Sequence, residues 1–136
     1  MHMTLEADYA VRIVERLAVS EEKVDARTIA EDTHVPLRFA LKILRKLVAD
    51  DIIVSYKGAH GGYMLAHPAG EITLRQVIES VEGPYRISRC QCEEYCCSHT
   101  TSCRFHQIYD EVSAVVRDKL DSYTFACEEG KDKPAQ

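Results

Sequence analysis

Residues 36–66 read PLRFALKILRKLVADDIIVSYKGAHGGYMLA, and the hydrophobic period changes partway along. From Pro36 onward Leu37, Ala40, Leu41, Leu44, Leu47 and Val48 recur every three or four residues, the spacing of an amphipathic helix. Pro36 fits its first turn, where a missing N–H costs nothing. The run IIVSYK at 52–57 is β-branched and extended, GAHGG at 58–62 is a glycine turn, and YMLA at 63–66 is a return strand. A helix running directly into a hairpin predicts a helix with a wing beside it.

On the N-terminal side, Leu5, Tyr9, Ile13 and Leu17, with Ala10 and Val14 beside them, predict a first helix over about residues 4–19. SEEKVD at 20–25 interrupts it. Asp25 is a candidate cap for a short second helix carrying Ala26, Ile29 and Ala30, which ends near His34 and Val35. Two helices joined by a tight turn are a helix-turn-helix, and the hairpin makes it winged. The expected fold class is mainly α with a small β-hairpin wing, plus a long helix further along the chain.

The chain has 136 residues, 46% of them hydrophobic, and a formal charge of −5. That is ordinary for one globular domain. The charge is unevenly placed. Between His34 and His60 lie Arg38, Lys42, Arg45, Lys46 and Lys57 against Asp50 and Asp51, a net of +3 that leaves −8 for the rest. A basic island on a helix-turn-helix and its wing predicts a surface for double-stranded DNA, with the third helix in the major groove and the wing on the backbone. The expected contacts are Arg38, Lys42, Lys46, Lys57 and His60.

Residues 105–123 add a long helix with Phe105, Ile108, Tyr109, Val112, Val115, Val116, Leu120 and Tyr123 as an apolar stripe. A stripe beyond a small winged domain predicts a homodimer, with Ile108, Tyr109, Val112, Val115, Val116 and Leu120 at the seam. The opening MHMTLEADYAVRIVERLA lacks a basic region followed by an apolar stretch, and no segment approaches the roughly 18 apolar residues of a membrane span. The expectation is a cytoplasmic protein without a membrane partner.

RCQCEEYCCSHTTSCRFH at 89–106 holds five of the six cysteines. Clustered thiols in a reducing compartment point to a metal, an iron-sulfur cluster or redox switching rather than to a structural disulfide. Zinc, with four ligands drawn from Cys90, Cys92, Cys96, Cys97, Cys103 and His106, is one alternative. A metal-free thiol-disulfide switch is another. A small thiol oxidoreductase or iron-sulfur electron carrier is disfavoured by the lack of a Cys-x-x-Cys in a βαβ setting and of a glycine-rich nucleotide loop. The expectation is a protein that is not an enzyme.

In order along the chain, DYAVR at 8–12, the helix from Pro36, KGAHGGYMLA at 57–66, EITLRQVI at 71–78, VEGP at 81–84 and the cysteine segment resemble the Rrf2-type winged-helix transcription regulators, including their IscR-like and NsrR-like branches. The resemblance covers nearly the whole chain. It implies a homodimer on a roughly palindromic operator, with a labile iron-sulfur cluster, 2Fe-2S or 4Fe-4S, sensing redox, nitric oxide or iron-sulfur status. It also implies three cysteine ligands six residues apart. Cys90, Cys96 and Cys103 are the favoured set, although the second interval is seven, and Cys97 or Cys92 is an alternate. The fourth ligand is implied to be His106 in one branch or, in the other, the acid matching Asp8, supplied by the partner subunit. Leu41 stands where the assembly-regulator branch has an acidic base-reading residue, so that branch's operator preference does not carry over. Some members without cluster cysteines respond to a protein partner instead, a third class that five clustered cysteines disfavour. The expected division is a DNA-binding domain over 1–83, a cysteine-rich loop over 84–104, a dimerisation helix and its end over 105–127, and a tail over 128–136.

Overall fold

Thr4 starts the first helix by accepting the Ala7 amide on its Oγ1 at 3.1 Å, and helix α1 (Leu5–Ala18) follows. The computed structural model describes residues 2–87 and 103–126. Asp25 caps α2 (Ala26–Thr33) by accepting from the Thr28 amide at 3.3 Å, and its carboxyl is held below the ordinary value of 3.8 by the Thr28 side chain first and by the amide after it. His34 ends α2 in the left-handed region at φ 57°, turning the chain so that the Val35 amide reaches the Ala30 carbonyl at 3.0 Å. The Pro36 carbonyl then accepts from both Phe39 and Ala40 at 3.0 Å, opening α3 (Leu37–Ala49). Proline stands one position before the helix and so removes no internal bond.

Strands β1 (Ile53–Tyr56) and β2 (Gly62–Leu65) form an antiparallel hairpin in the register Ile53 to Leu65 and Tyr56 to Gly62. A Cβ on Gly61 would overlap the Tyr56 carbonyl, which is why the turn closes on a glycine. After a short 3-10 turn over Ala69–Glu71, Thr73 and Gln76 form a reciprocal capping box at the head of α4 (Leu74–Glu82). Helix α5 spans Arg104–Asp121.

Helix α1 packs against α2, α3 and α4, and the core lies between them. Ile13, Ile29, Ile43, Leu44, Leu47 and Val77 are buried to 1% exposure or less. The mainly α architecture with a two-stranded wing and a long last helix agrees with the sequence expectation, and the helix limits differ by a residue or two. Two core assignments are corrected. Leu5 is 61% exposed and Leu37 38%, because the buried arcs centre on Ala7, Ala10, Val14 and Leu17 in α1 and on Ala40, Ile43, Leu44 and Leu47 in α3. Ile43, absent from the predicted stripe, is one of the largest buried side chains.

The chain beyond α5 turns back onto the domain. Leu74 donates its amide to Tyr123 O at 2.9 Å, Phe125 donates to Ala69 O and Ile72 O, and Phe125 packs on the core. Cys90, Cys92, Cys96, Cys97, Cys127 and the expected tail over 128–136 lie outside the described residues. Among the described residues no helix is long and apolar enough to cross a membrane.

Candidate functional site

The first turn of α3 presents Arg38, exposed, with its guanidinium 4.8 Å from the centre of the Phe39 ring. One turn later Lys42 is exposed and lies 3.8 Å from Glu6, a loose pair. Arg45 is exposed as well. Lys46 is different: its Nζ donates to Glu6 Oε1 at 2.9 Å and to the Val81 carbonyl at 3.3 Å. Its charge therefore ties α3 to α1 and α4, and the Ser80 hydroxyl adds a second tie by donating to Asp50 at 2.6 Å. Lys57 and His60 are exposed at the wing turn. Of the five basic-surface residues read from the sequence, four are carried on the outer faces of α3 and the wing, and Lys46, its side chain 36% exposed, is paired with Glu6.

One basic side chain escaped that reading. Lys23, in the segment between α1 and α2, places its Nζ 4.6 Å over the Tyr56 ring of β1. Its sequence neighbours are Glu21, Glu22 and Asp25, so a local charge count hides it. Only the tertiary contact puts it beside the wing.

The approach to the cysteine segment is held at several points. Tyr85 donates its amide to Glu79 Oε1 at 3.1 Å, and its carbonyl accepts from Arg117 Nη1 at 2.8 Å. The Ile87 amide donates to the Oγ of Ser113, a hydroxyl with 0% exposure in the middle of α5. Glu79 is in turn held by Arg75 at 3.1 Å, and Arg75 reaches Asp121 at 2.7 Å. The Arg75 hydrogen bond pulls the Asp121 carboxyl below its ordinary value, and the Asp121 hydrogen bond raises Arg75. The chain thus leaves for residues 88–102 while clamped between α4 and α5.

It returns at Cys103, half-buried at the position before α5. His106 follows one turn later, mostly covered, with Nε2 3.4 Å from Asp110 Oδ2. Soft sulfur and imidazole at adjacent turns fit one edge of an iron-sulfur or zinc site. Asp8 lies on α1 in an i, i+4 pair with Arg12 at 2.7 Å. Among the described residues no three His, Cys, Asp or Glu side chains gather as a metal group, so Asp8 does not join Cys103 and His106 within one chain.

Along α5, Phe105, Val112 and Val115 are exposed by 56%, 39% and 68%, while Ile108, Tyr109 and Val116 are half-covered. Leu120 packs on the chain's own core.

Residues 3–127 match the family described as Rrf2, iron-dependent transcriptional regulator. The protein named rrf2 of Nitratidesulfovibrio vulgaris is 30% identical over 93% of this chain and 85% of its own length. Among solved structures, IscR of T. potens superposes with a TM-score of 0.72 at 22% identity, covering 99% of this chain and 94% of that one. CymR, described as the global cysteine regulator of B. subtilis, gives 0.68 at 24% identity, covering 92% and 93%. At these identities the structural likeness establishes the fold, a winged helix.

Proposed function

The chain belongs to the Rrf2 family of transcriptional regulators, and from that we propose a homodimer whose hold on double-stranded operator DNA is governed by a labile iron-sulfur cluster on the 90–103 segment. It is a winged-helix transcription regulator and not an enzyme. The observation that carries the sensing proposal is the clamping of the cysteine segment. Ile87 is bonded to Ser113 and Cys103 heads the same helix ten residues earlier, roughly 15 Å along its axis. A change in what the intervening thiols hold therefore pulls on α5 at two places and, through Tyr85 and Glu79, on α4. Helix α4 bonds to the end of α3 through Lys46 and Asp50.

Arg38 and Lys42 would reach the major groove, with Lys57 and His60 on the backbone at the wing. Lys46, paired with Glu6, would hold α3 in place more than it contacts phosphate. Cys90, Cys96 and Cys103 would bind the cluster, with His106 or the partner's Asp8 completing it and Cys92 and Cys97 as alternates. A cluster with one non-cysteine ligand supplies an iron open to oxidants and nitric oxide. The exposed Phe105, Val112 and Val115 supply an apolar surface for the second copy. Cytoplasmic residence accords with both the DNA partner and a cysteine-rich segment.

The test is anaerobic purification followed by visible absorbance and iron, sulfide and zinc analysis, then operator titration by the apo and loaded dimers. Bound iron with sulfide and a difference in operator affinity support the reading, since a ligand acts only through differential affinity for two states. A colourless zinc protein that takes up no iron, or equal affinities, would refute it. Reversible oxidation that changes affinity without iron would move the sensing to a thiol switch.

A further inference from the structure

Lys23 and Tyr56 form a pair that the helix and wing contacts above leave unused. The segment before α2 is fastened to the outer edge of the hairpin, the Val24 amide donating to Tyr63 O at 3.1 Å and the Tyr63 amide to Val24 O at 2.8 Å. It thus acts as a one-residue third strand. The cross-strand partner of Tyr56 is Gly62. A Cβ on Gly62 would stand 2.8 Å from the Val24 oxygen and 2.9 Å from its carbonyl carbon, so the segment occupies the space a side chain would take. Gly62 also adds nothing to the face it shares with Tyr56. The Tyr56 ring is left open toward the neighbouring segment, and Lys23 lies over it at 4.6 Å.

Such a contact orients an ammonium without neutralising it. Lys46 and Arg16, by contrast, end on the carboxylates of Glu6 and Asp32. Asp25, one of three acids within two residues of Lys23 along with the exposed Glu21 and Glu22, has its carboxylate turned to the Thr28 amide. Lys23 is exposed, Tyr56 is 43% exposed, and the next residue after Tyr56 is Lys57 at the wing turn. We propose that Lys23, propped on Tyr56, is a phosphate contact of the wing side, contributed by the segment between α1 and α2. Tyr56 is its positioning residue. This rests on the DNA-binding reading and extends it to a residue outside the recognition helix and hairpin.

The experiment is fluorescence anisotropy of the full chain on a labelled mixed-sequence duplex across a potassium chloride series. Each phosphate contact contributes about 0.9 to the slope of log affinity against log salt. Lys23→Ala should reduce the slope by about 0.9 for each protomer on the duplex, about 1.8 for a dimer, and Lys23→Arg should keep it. Tyr56→Leu should weaken binding at low salt, and in the Lys23→Ala background it should add no further loss. Circular dichroism melts confirm that each variant is folded. A wild-type slope retained in folded Lys23→Ala would overturn the inference alone. Duplex binding by wild type that is absent or insensitive to salt would overturn the DNA-binding reading beneath it.

Discussion

Ser113 is the one polar residue on α5 with no exposure at all, and its hydroxyl accepts the Ile87 amide at the last described residue before the cysteine segment. Ser113→Ala would leave that N–H short of its acceptor at a cost of about 1–3 kcal/mol, read as a lower urea midpoint. The same variant should loosen the segment's attachment. On the proposed function, retention of the proposed cluster after mild oxidation, followed by absorbance, should fall faster than in wild type. Gly62 is constrained in another way: its missing Cβ admits the Val24 backbone. Gly62→Ala should push the segment before α2 off the hairpin and cost about 1–3 kcal/mol, seen as a lowered Tm. An unchanged Tm would mean that the approach relaxes freely.

At the scale of elements, the junction of α4 with the end of α5 is polar, made by Thr73, Arg75, Glu79 and Asp121. Thr73 both caps α4 and donates to Asp121, so Thr73→Ala should cost about 1 kcal/mol by denaturant titration. The Asp121 carboxyl is held below 3.8 by Arg75. A depressed carboxyl contributes stability that is fully present above the unfolded value and is lost as pH falls through the folded one. The gap in Tm between wild type and Asp121→Asn should therefore be steady near neutral pH and close in acid below 3.8. A gap that persisted there would place the effect of Asp121 elsewhere.

For the molecule as a whole, the proposed homodimer would be built on the exposed part of α5. Val112→Glu combined with Val115→Glu puts charges on the apolar face without touching the core. Sedimentation equilibrium should give twice 15.4 kDa for wild type and the single mass for the double variant. If the proposed dimer holds its recognition helices about 34 Å apart, separating the copies would end that spacing and operator affinity should fall with assembly. A wild type that sediments as a monomer at micromolar concentration would remove the dimer from the reading.

Periodicity along the chain was enough to place α1, α2, α3, the hairpin and α5, because a buried stripe repeats at the period of its own element, whereas α4 was not read from it. DYAVR, KGAHGGYMLA and the cysteine segment were enough to indicate the family, since those residues are contiguous. Tertiary structure alone decided which member of a stripe is buried. Leu5 and Leu37 lie at helix starts that project past the core, whereas Ile43 faces its centre. It alone paired Lys46 with Glu6 and brought Lys23 onto Tyr56, 33 residues away in the sequence. Charge counted along a chain sums neighbours in sequence, while a side chain's field is set by its neighbours in space, and only folding brings those together.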